Sequence, residues 1–347
     1  MPKTRTENPR RGINVRNALG VGPQRHKEML APMKRLAVLI VLILVATVSM
    51  AVTSAQRDPT VIDIQKVANN LYVVTGGRGT GTSSNTVSGC TTVFITNAGV
   101  VLIDTKLPGF AGAILDKVKS VTPKPVTTII NTHTHGDHTG GNTDFPRTVE
   151  VVTQANTKAN MAKMDAFKGQ NDGFLPRKTF TDRMTLGSGQ DQMDLFYFGR
   201  GHTNGDAVIV LPALRIAVLG DLFARKWAPL VDAGNGGSAV EYPQTLAKAM
   251  AGVKNVDSII TGHSSRTIGS GATAKFEPFG PVVKWADLQE YTDFTREFVA
   301  SAQASMKAGR TVEQAVAEMK LPAKYKDYDM ANARNDVQRV YEESKTR

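Results

Sequence analysis

Thr127-Thr128-Ile129-Ile130-Asn131-Thr132-His133-Thr134-His135-Gly136-Asp137-His138 carries the densest chemistry in the chain. Its first five residues read as an apolar strand, and that strand runs almost directly into His133. Four side chains able to ligate a metal then follow within six residues. Imidazole and carboxylate together suit zinc, and also iron or manganese. In a tight loop the alternating His133 and His135 can close on one metal, while Asp137 and His138 point toward a neighbouring position. Gly136, Gly140 and Gly141 let the backbone turn sharply around them.

The histidine inventory extends the pattern. The chain has 6 histidines, and only His26 lies outside this chemistry. His202 sits in Gly201-His202 just after a strand, and His263 in Gly262-His263 at a strand end. Asp221 follows Val218-Leu219-Gly220 in the same way. Apolar strand, glycine, ligand is the shared arrangement. Each of the three, taken alone, also reads as an ordinary core residue or a turn former.

Around these ligands the chain alternates short β-rich runs with turn signals. Strands are expected at Val61–Val67, Leu71–Thr75, Cys90–Thr96, Val100–Asp104, Arg183–Leu186, Gln192–Phe198, Ala207–Leu211, Arg215–Leu219 and Ser258–Thr261. Helices are expected at Gly109–Val121, Gln154–Lys168 and Pro243–Val253. Residues 76–88 read as a mobile Gly/Ser/Thr loop, either a flap or a linker. The tail changes character, with helices at Trp285–Lys307, Thr311–Met319 and Asp329–Ser344, the first marked by Phe294, Phe298 and Ala302. Strands and helices mix without strict βαβ alternation, which points to packed sheets with helices outside.

The net charge is +11. Residues 1–35 hold nine basic and two acidic groups. The remaining 33 basic and 29 acidic residues give only +4, so the body carries no excess that demands nucleic acid. Cys90 is the one cysteine, which excludes an intramolecular disulfide. It reads as a small buried strand residue, or else as a reactive thiol.

Leu36–Val52 is an uncharged apolar run preceded by Lys34-Arg35 and followed by Thr53-Ser54-Ala55, the pattern of a secretory signal peptide. Cleavage is expected after Ala55, or after Ala51; uncleaved, the run would be the chain's membrane contact. Residues 1–32 read as disordered or untranslated, with the true start at Met33. A peptide from residues 1–32 in protein from the native host would refute that start. The expected organisation is a leader (1–32), a signal peptide (33–55), a catalytic domain (56–270) and a C-terminal helical extension (271–347), in a periplasmic or secreted protein.

The ligand motif and the strand Val100-Val101-Leu102-Ile103-Asp104-Thr105 resemble the metallo-β-lactamase superfamily over about Val61 to Ser264. The resemblance implies an α/β fold, a four-layer αββα sandwich with the site along one edge of two sheets. It also implies two zinc ions: His133, His135 and His202 on the first, Asp137, His138 and His263 on the second, and Asp221 bridging. Asp104 would steady the ligand loop, or simply form a strand-end turn. The Asp137-His138 pair and the Asp221 bridge resemble glyoxalase II and the lactonases, whereas the export signal resembles periplasmic lactamase-like enzymes.

The expected activity is hydrolysis of a small molecule. Two metals about 3.5–4 Å apart lower the pKa of a shared water toward about 7, and the hydroxide attacks the carbonyl of a β-lactam-like amide, lactone or thioester. Asp137 and Asp221 are the carboxylates expected to act in catalysis, Asp137 also as a proton acceptor. Arg225, Lys226 and Trp227 read either as a substrate-carboxylate clamp with an apolar wall or as a solvated turn. The C-terminal helices could cover the site, form a dimer interface or simply pack. Two rival readings are a mononuclear iron dioxygenase of the persulfide type and a non-catalytic periplasmic metal-binding scaffold.

Overall fold

The computed structural model describes residues 62–76, 89–223, 225–268 and 275–345. The expected leader, the signal peptide and nearly all of the 76–88 loop lie outside the described residues.

Two sheets form the centre. The first runs in chain order through β1 (Ile62–Ala68), β2 (Leu71–Gly76), β3 (Thr91–Ile95), β4 (Val100–Ile103), β5 (Val126–Ile130), β6 (Glu150–Gln154) and β7 (Lys178–Phe180). Its hairpins are antiparallel up to β4, after which β4, β5, β6 and β7 pair in parallel. The change of pairing follows from the connections: a short turn joins β3 to β4, whereas helix α1 (Ala111–Lys119) carries the chain back between β4 and β5. The second sheet contains β8 (Arg183–Leu186), β9 (Met193–Tyr197), β10 (Ala207–Leu211), β11 (Ile216–Gly220) and β12 (Ser258–Thr261). After a separate pair, β13 (Ser265–Ile268) with β14 (Lys275–Pro278), β15 (Val282–Lys284) joins this sheet beside β12.

Three apolar clusters separate four layers. Val101, Ile103, Ile130, Leu195, Ile209 and Val218 fill the space between the sheets. Val93, Leu102 and Ile129 on the outer face of the first sheet bury Ile114 and Val118 of α1. On the outer face of the second sheet, Val208, Ala217 and Leu219 meet α4 (Tyr242–Gly252), α5 (Trp285–Lys307) and α7 (Ala333–Lys345). The strands buried on both faces read as unbroken apolar runs, such as AVIVL and IAVLG. The αββα arrangement of the α/β class is thus present.

The tail helices form on strong local signals. In α5, Leu288, Tyr291, Phe294, Phe298 and Ala302 fall three or four residues apart, and each is at most 1% exposed. Helix α6 (Val312–Glu318) starts with Thr311 and Gln314 exchanging hydrogen bonds between side chain and backbone. Residues from 282 onward supply an edge strand and helices that share one apolar cluster with the second sheet. No helix among the described residues is long and apolar enough to cross a membrane.

The helix expected over Gln154–Lys168 is shorter. A four-residue helix, α2 (Gly136–Thr139), carries Asp137 and His138, and the next, α3 (Ala155–Met161), ends early. The bonds Lys163 N to Asn160 O and Met164 N to Met161 O tighten its last turn, and Asn160 is drawn away to Asn204 Oδ1 and Asn235 O. Strands β6 and β7, unexpected from sequence, flank this region.

Candidate metal centre

All seven expected ligands converge at one edge of the sandwich. Those of the first motif follow β5. His202 follows β9, Asp221 follows β11 and His263 follows β12. The glycine before each strand-end ligand has a steric reason. Gly220 adopts φ +54°, and a Cβ there would press on the Thr132 side chain. A Cβ on Gly262 would collide with Asp221 Oδ1. The two sheets are stitched together here by Ala207 N donating to Thr132 O at 2.7 Å, and Gly262 N donates to Gly220 O at 3.0 Å.

The donors fall into two groups, His133, His135, His202 and Asp221 in one and Asp137, His138 and His263 in the other, with the donor atoms of each group within 4.8 Å of one another. Asp221 faces both. Its Oδ2 lies 3.9 Å from His133 Nε2, 3.8 Å from His202 Nε2 and 3.2 Å from His263 Nε2, and its Oδ1 lies 3.4 Å from His138 Nε2. Asp137 Oδ2 is 3.5 Å from His138 Nε2 and 3.4 Å from His263 Nε2.

Outer partners fix the imidazole protons. His138 Nδ1 donates to Asp104 Oδ2 at 2.8 Å, and His202 Nδ1 donates to Leu230 O at 2.6 Å. His135 Nε2 donates to Asp232 Oδ2 at 2.7 Å. Thr132 Oγ1 donates to Asp104 Oδ2 at 2.7 Å, so its lone pair takes the Nδ1 proton of His133 at 3.0 Å. In their neutral forms His133, His135 and His202 then carry an unprotonated nitrogen facing inward.

That arrangement tests the site for a cation. His135 Nδ1 and His202 Nε2 face each other at 3.1 Å, both with lone pairs. His133 Nε2 is buried with no hydrogen-bond partner. Lone pairs held together without a proton repel, and a buried orphan nitrogen is costly. A cation bound by these nitrogens and by Asp221 relieves both, so the residues fit a metal.

Charge in the site follows from burial and neighbours. Burial, reinforced by His138 and His202, holds His133 well below the ordinary histidine value, and burial pushes His202 down to about 4. Both are therefore neutral ligands near pH 7. Burial opposes ionisation of Asp221, but His263 and His138 outweigh it and hold the carboxyl well below its usual range. Burial likewise works against protonated His138, yet Asp137, Asp221 and Asp104 raise it well above the ordinary value. Asp232 lies at about 2: burial opposes its ionisation, and the hydrogen bonds from Asn235 and His135 prevail.

Asp104 holds the ligand loop: Oδ1 accepts from Thr132 N at 2.8 Å, and Oδ2 from Thr132 and His138. Asp232, Thr132 and the Leu230 carbonyl were invisible in the sequence. Lys106 was missed too: it is fully buried and donates from Nζ to Val74 O and Gly89 O, and burial pushes it down to about 8. Gly89 N donates in turn to Asp137 O, and Cys90 N to Gly262 O, which ties this strand start to both ligand loops. Cys90 is a buried core residue outside both donor groups. Of the proposed carboxylate clamp, Lys226 lies 3.6 Å from Glu290, and the Arg225 guanidinium stacks over Phe279 and donates to Gly280 O. Trp227 packs edge-on against Phe279. The three line a cavity of about 340 Å³ with Phe223, Asp287 and Tyr328.

Known proteins are similar to this chain in sequence and in fold. A metallo-beta-lactamase type 2 of Elizabethkingia meningoseptica is 27% identical over 213 residues, 58% of this chain and 78% of that protein. The 2,4-dinitroanisole O-demethylase subunit alpha of Nocardioides sp. (strain JS1661) is 32% identical over 130 residues, 36% of this chain and 38% of that subunit. In fold, the metallo-beta-lactamase from Pontibacter korlensis superposes with a TM-score of 0.54 at 22% identity, covering 68% of this chain and 99% of that one. The family model described as the metallo-beta-lactamase superfamily matches residues 85–263. This chain belongs to the metallo-β-lactamase superfamily.

Proposed function

We propose that the chain is an exported hydrolase that holds two zinc ions, with His133, His135 and His202 around the first, Asp137, His138 and His263 around the second, and Asp221 between them. Its substrate is a small molecule with a strained or activated carbonyl: a β-lactam-like amide, a lactone or a thioester. The observation that carries this reading is the placement of Asp221, whose two oxygens face donors of both groups. A scaffold binding one metal has no need of such a carboxylate.

When bound, the ions would supply Lewis acidity toward a carbonyl oxygen and lower the pKa of a bound water. The chain's own residues set the terms. Thr132 and Leu230 hold His133 and His202 as neutral donors with their lone pairs inward, and Asp232 turns Nδ1 of His135 toward them. Asp137 is the more exposed of the two site carboxylates, 26% against 13% for Asp221, which suits it to take a proton from an attacking water and return it to the leaving atom. No serine or cysteine nucleophile is needed, and Cys90 lies outside the donor groups. Export rests on the leader read over residues 33–55 and is checked by N-terminal sequencing of the protein recovered from the native host's periplasm.

The test is metal analysis of purified protein together with turnover of β-lactams, lactones and thioesters side by side. Two zincs per chain and turnover in one class are expected. A single iron would overturn hydrolysis in favour of an oxygenase, and two zincs without turnover in any class would leave a metal-binding scaffold.

A further inference from the structure

We propose that the C-terminal segment Asp329–Glu343 sets the shape of the loop Lys226–Ala239 and through it aims His135 and His202, with Glu343 as the positioning residue. This rests on the first donor group holding a metal and is independent of the substrate.

The loop supplies two of the outer contacts that orient the first group. Leu230 O accepts from His202 Nδ1, Asp232 Oδ2 accepts from His135 Nε2, and Asp232 N donates to His202 O at 2.9 Å. Yet its own regular structure is slight: one short 3₁₀ turn at Ala233–Asn235 and the single bridge between Trp227 and Asp329. Beyond the turn that Asn235 and Gly237 close on Asp232, such a loop takes its shape from what it is tied to.

Two of those ties come from the tail. At the entry, Ala228 N donates to Asp329 O at 2.8 Å and Asp329 N donates to Lys226 O at 2.9 Å. At the exit, the Glu343 carboxylate of α7 accepts from Ser238 Oγ and, through Oε1, from Ala239 N at 2.9 Å. The strand-side ties, Ser238 N to Gly201 O and Arg200 Nε to Gly236 O, hold the exit against the His202 loop. Glu343 therefore closes a frame around the part of the loop that carries Leu230 and Asp232. Charge-assisted bonds from one carboxylate to a hydroxyl and a backbone N–H are stronger and more directional than neutral ones. Displacing residues that hold ligating histidines typically weakens metal binding about 10–100-fold.

The experiment measures zinc affinity by chelator competition and the cobalt(II) absorption spectrum, in a His263→Ala background that leaves the first group to be read alone. The melting midpoint of the metal-free protein is recorded alongside. Glu343→Ala is expected to weaken binding about tenfold and to shift the cobalt bands. Glu343→Gln, which keeps an oxygen for Ala239 N–H, should recover most of the loss. Adding Ser238→Ala to Glu343→Ala should cost less than Ser238→Ala costs alone, because the two changes share one contact and the second then removes only the acceptor for Glu241 N. An unchanged affinity and spectrum in Glu343→Ala overturns the proposal. So does a lowered metal-free melting midpoint with undiminished affinity of the folded protein, which makes Glu343 merely structural. A parent protein that binds no metal sinks the metal-site reading itself, whereas one that binds zinc with an indifferent Glu343→Ala sinks only the role of Glu343.

Discussion

In this site four of the five histidine rings direct an N–H outward, to Thr132, Asp232, Asp104 and Leu230 O. The outward acceptor determines which nitrogen is free, so the acceptors are as much part of the site as the rings. The Asp104 carboxylate holds Thr132 twice and His138 once. Asp104→Ala is expected to lower zinc affinity at the second group about 10–100-fold, read by chelator competition, because His138 loses its anchor. It should also cost about 1–3 kcal/mol of stability through the stranded Thr132 donors. Asp104→Asn, with one acceptor oxygen in place of two, should fall between. Wild-type affinity in Asp104→Ala would refute the anchoring role. Asp104 was legible through the resemblance of the strand Val100–Thr105 to the superfamily's strand ending in an aspartate, with a turn-forming role left open beside it. Asp232 was not, since 97 residues separate it from His135 and nothing in Val231-Asp232-Ala233 marks an imidazole partner. A backbone carbonyl such as Leu230 O carries no sequence signature at all.

Among the elements, those with a strong period or an unbroken apolar run were legible: β10, β11, β12 and α5 fall where Ala207–Leu211, Arg215–Leu219, Ser258–Thr261 and Trp285–Lys307 were expected. The failures have separate causes. Met161, Met164 and Phe167 continue a helical spacing past the end of α3, but Asn160 is held by Asn204 and Asn235, and a tertiary contact overrode the local preference. β7 spans three residues, too few to show alternation. Helix α7 carries a feature with a measurable consequence. Asp336 is 2% exposed, its Oδ2 has no partner, and burial raises its carboxyl to about 8. A raised carboxyl favours the folded state below its ordinary value of about 4, and that contribution is lost as pH rises through about 8. The wild-type melting midpoint should therefore fall on going from about pH 5 to about pH 9 more steeply than that of Asp336→Asn. At the upper end the variant should be the more stable by about 1–3 kcal/mol. Parallel pH profiles for the two proteins would exclude this account.

At the scale of the molecule, the ligands are divided between the sheets. His133, His135, Asp137 and His138 leave the first, and His202, Asp221 and His263 leave the second. The sequence pattern could place each ligand at a strand end, but it could not say that the last helices pack on the second sheet, because an amphipathic face does not name its partner. Division between sheets would make a metal bound there a clamp across the sandwich. An ion that binds only this assembled edge has no comparable site in the unfolded chain, so binding free energy adds to folding free energy. With free zinc about 100-fold above its dissociation constant the gain is about 2.7 kcal/mol. At about 2–4 °C per kcal/mol, chelation should lower the melting midpoint by about 5–10 °C. Zinc should restore it, while magnesium, which prefers oxygen donors in octahedral array, should not. Asp221→Ala, lacking the carboxylate that faces both groups, should lose most of this chelator-sensitive increment. A midpoint indifferent to chelator in the wild type would mean that the two sheet edges come together without help from a metal, and the facing lone pairs of His135 and His202 would then require a proton between them instead.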